Sequence, residues 1–263
     1  MVIFPTPKIN IGLFIVAESA DGYHDIETIF YPLRQPHDVL EIERADEGID
    51  FEVTNCSFDV RGENICVKAF RLLKERCGFG GGLKMRLTKN IPAGAGLGGG
   101  SADAAATING INDLYDLHLD SEQMKRFAFE LGSDVPFFID GKPAFATHRG
   151  EIMTPIDLDL EGKKISLVVP PFSMSTAEAY GLVKSRTVPF DLRMLPQIPV
   201  ARWKDFVGND FEEVLFNKFP RLGDAKKELY SLGADFVLLT GSGSVIYAIG
   251  DEEYTLSDGF FDC

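Results

Sequence analysis

The chain has 263 residues, 45% of them apolar, and 40 acidic against 26 basic side chains give a net charge of −14. That balance argues against a nucleic-acid polymer or an anionic membrane as partner, and leaves room for a small phosphorylated substrate in a local site. The four cysteines, Cys56, Cys66, Cys77 and Cys263, form no CxxC pair and no metal spacing, and no leader or membrane-length apolar run is visible, so we expect a cytoplasmic protein with free thiols.

Residues 2–16 read as a strand broken by Pro5-Thr6-Pro7. Ile9, Ile11, Leu13 and Ile15 alternate with Lys8, Asn10 and Gly12. Period two puts Lys8 and Asn10 on one face, and alternation alone makes that face solvated. Asp21-Gly22 is a turn signal that delivers Tyr23 and His24 to a strand over 26–31. An aromatic and an imidazole there suit a flat heterocycle, and equally an edge-packed Tyr beside a surface His. Residues 39–43 and 49–53 read as a hairpin around Ala45-Asp46-Glu47-Gly48. Ile65, Ala69, Leu72 and Leu73 mark an amphipathic helix over 64–76.

An alternating segment, Leu83-Lys84-Met85-Arg86-Leu87-Thr88, then leads into a glycine-rich stretch and an alanine-rich helix. Glycines allow left-handed backbone and remove the Cβ atoms that would block a ligand. The first N–H groups of a helix lack intrahelical acceptors, so strand, glycine loop and helix start form an anion site, most often one for phosphate. The stretch has no Lys and is not a P-loop. Gly94-Ala95-Gly96-Leu97-Gly98-Gly99 matches GxGxxG, but a dinucleotide fold also needs a parallel strand after the helix. Here Leu117-His118-Leu119 leads to a second helix over 121–131. That helix opens with a possible capping box at Gln123, buries Met124, Phe127, Ala128 and Leu131, and stops at Gly132. Asp134 follows, between the stop and the apolar Val135-Pro136-Phe137-Phe138. There it is placed either for a tuned carboxylate or for an ordinary turn cap.

Beyond residue 150 the pattern restarts. A buried strand is expected over 165–169, helices opening near Ser175, Asn209 and Pro220, and strands over 236–239 and 245–249. Two rounds of strand and helix suggest a small α+β second domain. Thr240-Gly241-Ser242-Gly243-Ser244 is a plain glycine turn or a second anion contact.

Three blocks in order, Pro7-Lys8-Ile9-Asn10, the stretch over 92–106, and Leu239-Thr240-Gly241-Ser242-Gly243, resemble the GHMP small-molecule kinases over nearly the whole chain. Further carriers are Asp21-Gly22-Tyr23-His24, Ser133-Asp134-Val135-Pro136-Phe137-Phe138 and Asn209-Asp210-Phe211-Glu212. The resemblance implies a two-lobed α+β fold with the active site in the cleft between lobes, domains at 1–154 and 155–263, and a monomer or weak homodimer. It implies that Pro92, Ala93, Gly94, Ala95, Gly96, Leu97, Gly98, Gly99, Gly100, Ser101 and Ala102 bind ATP. Lys8 and Asp134 would be catalytic. Asn10, Tyr23, His24, Phe30, Thr176 and Tyr180 would bind a cytidine diphosphate-linked alcohol. Mg²⁺ is expected with ATP, its ligands unassigned, because many family members carry Ser where this chain has Gly99 and Gly100. Alternatives are a kinase of the family for another alcohol, an NAD-binding oxidoreductase, and a non-catalytic nucleotide-binding module.

Overall fold

The computed structural model describes residues 1–18, 24–55, 63–172 and 174–261. In chain order its elements begin β1 (Val2–Ile3), β2 (Lys8–Glu18), β3 (His24–Pro32), β4 (Val39–Ala45), β5 (Ile49–Thr54), α1 (Ile65–Cys77) and β6 (Gly82–Thr88). Then come α2 (Gly99–Leu114), α3 (Ser121–Leu131), α4 (Phe137–Asp140), β7 (Ala144–Thr147), β8 (Ile152–Pro155), β9 (Lys164–Val168) and α5 (Thr176–Tyr180). After two 3₁₀ segments, Leu192–Gln197 and Val200–Asp205, the chain ends with α6 (Phe211–Lys218), α7 (Pro220–Ser231), β10 (Phe236–Leu239) and β11 (Ile246–Gly250). These elements form two compact units, each discontinuous in sequence. One is Met1–Lys8, Pro32–Ala93 and Gly98–Lys142; the other is Ile9–Tyr31, Gly94–Leu97 and Pro143–Cys263.

The first unit is a four-stranded sheet, in the order β1-β4-β6-β5, covered by helices. β4 and β6 bury alternate residues: Leu40, Ile42, Leu83, Met85 and Leu87 point into the core. Against them pack Cys66, Ala69, Phe70 and Leu73 of α1 and Ala104, Ala105, Ile108 and Ile111 of α2. The small residues of α2 let it lie close to the sheet, and a Cβ on Gly110 would come within 2.4 Å of Ile42 Cδ1.

The hairpin expected over 39–53 does not form. β6 lies between β4 and β5, antiparallel to the first and parallel to the second. Turn chemistry at residues 45–48 is local, whereas pairing is decided by burial. The Leu83/Met85/Leu87 face gains most at the sheet centre, and Gly82 admits it there. A Cβ on Gly82 would sit 2.3 Å from the Glu47 carbonyl, and the Leu83 N–H donates to Gly48 O at 3.0 Å.

The helices α1 and α3 are capped by side chains at their starts. Asn64 Oδ1 accepts the Cys66 N–H at 2.9 Å and Gly78 closes α1 in the left-handed region at φ 67°. In α3 the Asp120 carboxylate accepts the Gln123 N–H at 2.8 Å, and Gln123 Oε1 accepts the Asp120 N–H at 2.9 Å. Such a capping box satisfies two otherwise orphaned donors.

The second unit holds the sheets β2-β3-β7-β8 and β10-β11-β9. Phe211, Leu215, Leu222, Ala225 and Leu229 pack on Val237, Leu239, Ile246 and Ala248. The solvated face expected on β2 is absent, since every residue from Lys8 to Ile15 is buried. Pro5-Thr6-Pro7 does more than interrupt one strand, because β1 and β2 belong to different sheets. Among the described residues no helix is long and apolar enough to cross a membrane.

Gly96 adopts φ +80°, and a Cβ there would lie 2.1 Å from the Thr240 carbonyl oxygen; Gly94, at φ +63°, has open space around its Cβ position. Left-handed backbone costs a non-glycine residue roughly 1–2 kcal/mol. Gly94→Ala should lose about that much, and Gly96→Ala clearly more, because its clash is with backbone that cannot move aside. Denaturant unfolding of the two variants measures this; equal losses would show that the contact at Gly96 is not tight.

Candidate active site

Lys8 opens β2 and is almost completely buried, at 3% exposure. Its ammonium lies 3.7 Å from Asp134 Oδ2, whose side chain is about one-third exposed. Burial pushes the Lys8 ammonium down from its ordinary value, and the Asp134 carboxylate pulls it back up. Asp134 is held by its neighbours. The Val135 N–H donates to Gly132 O at 3.2 Å, and Val135 and Phe137 are buried on either side of Pro136.

The end of the glycine stretch meets this pair. Gly98 is the N-cap of α2, at φ +71°, with no side-chain cap on the helix. A Cβ on Gly98 would lie 2.8 Å from the Phe138 ring and 3.3 Å from Lys8 Cε. Glycine at this position thus lets the Lys8 stem pass directly under the start of α2. The first intrahelical bond runs from the Ala102 N–H to Gly98 O at 2.9 Å. The N–H groups of Gly99, Gly100 and Ser101 therefore lack intrahelical acceptors, and the positive end of the helix macrodipole adds to them. Nothing would obstruct a Cβ on Gly100 within 4 Å, so the backbone there is open to a ligand. Uncapped donors, a buried cation and a one-third exposed carboxylate suit phosphoryl transfer: the first two are able to hold anionic oxygens and the third to take a proton.

In the second unit, Gly94–Leu97 lies against the 240–244 turn. The Val245 N–H donates to Ala95 O at 3.3 Å, and a Cβ on Gly241 would sit 3.0 Å from Gly96 O. The two glycine segments thus touch backbone to backbone. The Thr240 hydroxyl accepts the Asn10 N–H at 3.0 Å. The Asn10 amide donates to Thr28 Oγ1 at 2.9 Å, and the Tyr247 hydroxyl donates to Asn10 O at 3.0 Å. Asn10 is therefore 1% exposed and fixed from three sides. The Thr176 and Ser242 hydroxyls share a hydrogen bond at 3.2 Å. His24 and Tyr180 lie with ring centroids 5.1 Å apart, and Phe211 braces Tyr180 edge-on at 4.9 Å. Phe30 is buried at 1% exposure. Tyr23 lies outside the described residues, as do Cys56 and Cys263.

Residues to which the sequence reading gave no site role support this region. Thr28 and Tyr247 anchor Asn10, and Asn209 Nδ2 donates to both Leu239 O and Gly241 O, at 2.8 and 2.9 Å, fixing the glycine turn. In the sequence Asn209 stands only as the opening of a helix and of the Asn209-Asp210-Phe211-Glu212 block. No parallel strand follows α2, which leads instead to α3, so the dinucleotide arrangement is absent.

Comparison with known proteins identifies the family. Residues 64–142 match the GHMP kinases N terminal domain, and residues 199–257 match the GHMP kinases C terminal domain. The 4-diphosphocytidyl-2-C-methyl-D-erythritol kinase of Azobacteroides pseudotrichonymphae is 42% identical, over 97% of this chain and 95% of that protein. The protein of the same name from Bacteroides fragilis is 38% identical, over 100% of this chain and 96% of that one. A crystal structure of 4-(cytidine 5'-diphospho)-2C-methyl-D-erythritol kinase superposes with a TM-score of 0.78 at 31% identity, covering 95% of this chain and 90% of that one. A helix start bared by glycines, a buried lysine set against an aspartate, and relatives matched from end to end place this chain in the GHMP kinase family.

Proposed function

We propose that the protein transfers the γ-phosphoryl group of ATP to the 2-hydroxyl of 4-diphosphocytidyl-2-C-methyl-D-erythritol, a step in non-mevalonate isoprenoid precursor synthesis. The observation that carries the chemistry is the buried Lys8 ammonium 3.7 Å from Asp134. The observation that supports this substrate is the full-length similarity to kinases bearing that name.

In this reading the ATP phosphates lie on residues 92–102, with the uncapped N–H groups at the start of α2 donating to their oxygens. Asp134 takes the proton of the substrate hydroxyl as its oxygen forms a bond to the γ-phosphorus; the bond to the β-phosphate oxygen breaks and ADP leaves. Lys8 stands as the counter-charge to Asp134 before the step and offsets charge on the phosphoryl oxygens during it. Mg²⁺, which screens the β- and γ-phosphates when bound, would be held chiefly by those phosphates and by water. Among the described residues no group of three or more His, Cys, Asp or Glu side chains is placed to hold a metal ion. Tyr23, His24, Phe30 and Tyr180 would form the cytidine pocket, with Thr176 and Asn10 along the path of the alcohol. The enzyme would work in the cytoplasm as a monomer or weak homodimer.

The direct test offers MgATP with the cytidyl alcohol, with the same alcohol lacking the cytidine diphosphate, with mevalonate and with homoserine. Phosphorylated product is expected from the first alone; comparable kcat/KM on mevalonate or homoserine would overturn the assignment.

Tyr180 tests the base pocket separately. If cytosine stacks on its ring, Tyr180→Ala weakens substrate binding by roughly 1–3 kcal/mol. KM should rise with little change in kcat, because the contact is equal in ground and transition states. An unchanged KM for the cytidyl substrate would remove Tyr180 from the site.

A further inference from the structure

A buried ion cluster lies under the start of α2. Lys89, directly after β6, is 9% exposed, and its ammonium donates to Asp103 Oδ2 at 2.6 Å and to Asp38 Oδ2. Asp38 is fully buried, and its other oxygen accepts the N–H groups of Asn90 at 2.5 Å and Ile91 at 2.8 Å. The Lys89 N–H in turn donates to Thr54 O at 3.0 Å. Asp103, in the second turn of α2, is 2% exposed, and its Oδ1 is buried without a hydrogen-bond partner among the described residues. Gly99 leaves room for the cluster: a Cβ there would lie 2.9 Å from Ile91 Cγ2 and 3.5 Å from the Lys89 ammonium.

Taking three ionisable groups out of water is unfavourable, and apolar residues of the same volume are often at least as stabilising. The return on such a cluster lies in the geometry it specifies. Here that geometry is particular. Asp38 grips the backbone that enters the glycine stretch, Asp103 belongs to the helix that leaves it, and Lys89 joins the two.

The geometry points to Lys89, with Asp38 and Asp103, as a positioning device for the nucleotide: it fixes the first turn of α2 against the end of β6, and so aims the helix N–H groups at the phosphates. This rests on the reading of residues 92–102 as the ATP site. None of the three side chains needs to touch ATP. Protonation accords with the arrangement. Burial raises the Asp103 carboxyl to about 8, with Lys89 opposing the rise and the Asp38 charge adding to it. Burial alone would push the Lys89 ammonium down, but the two carboxylates outweigh it and hold Lys89 above its ordinary value. An amide at position 103 keeps an oxygen that accepts from the Lys89 ammonium, whereas a methyl group does not.

The test compares wild type, Asp103→Ala, Asp103→Asn and Lys89→Met by ATP titration calorimetry and steady-state kinetics. Displacement of a binding group by about 1 Å typically costs up to 100-fold. Asp103→Ala and Lys89→Met should accordingly raise Kd and KM for ATP by roughly 10-fold or more. Their kcat should fall by a smaller factor and KM for the alcohol should barely move, while Asp103→Asn recovers most of the loss in ATP affinity. A purely structural role would lower the melting temperature without this split. If either variant folds and binds ATP within about twofold of wild type, the inference fails; should Asp103→Ala not fold, Lys89→Met carries the same comparison. Failure of the wild-type protein itself to bind ATP would instead overturn the reading of the glycine stretch.

Discussion

The interaction on which the site depends is the burial of the Lys8 ammonium beside Asp134. A lysine at 3% exposure is tolerable only where a counter-charge is fixed close to it. Asp134 meets that need because its turn is immobilised. The capping box starts α3 in register, Gly132 ends it, and the flanking Val135 and Phe137 are buried. The stem of Lys8 needs equal care, and Gly98 supplies it by leaving no Cβ in the way. One missing side chain therefore does two things: it opens the start of α2 to an anion and lets the cation lie alongside.

The same economy recurs in the second unit. Gly96 and the 240–244 turn pack main chain against main chain, so neither segment has room for side chains at the contact. Thr240 then ties that turn to Asn10, two residues along β2 from Lys8. Asn10 is further held by Thr28 and Tyr247, which leaves the strand little freedom to slide. The strand just after Lys8 is thus fixed by contacts that involve no charge, the kind of rigid frame that electrostatic catalysis requires.

Much of this was legible in the sequence where the signal is local. The capping box of α3, the helix stop at Gly132 and the glycine stretch before an alanine-rich helix all rest on residues within one turn of each other. What depends on distant segments was not. The turn over 45–48 looked like a hairpin because nothing nearby reveals that β6 fills the gap. Lys8 and Asn10 looked solvated because alternation reports two faces of a strand and not what covers them. The resemblance to a kinase family named both residues, but their burial came only with the structure. Asp38, Lys89 and Asp103 are scattered in sequence and carry no spacing signature, so their meeting could not be read beforehand.

In the proposed mechanism Lys8 and Asp134 act as one unit in moving the substrate proton. A double-mutant cycle on kcat, using Asp134→Asn, Lys8→Met and the double variant with ATP affinity measured alongside, tests it most directly. Removing a general base costs about 10²–10⁴ in rate. Each single variant should fall in that range with ATP still bound, and the double should be no more than about tenfold worse than the poorer single. Losses that multiply, or near-normal turnover in Asp134→Asn, would contradict the account.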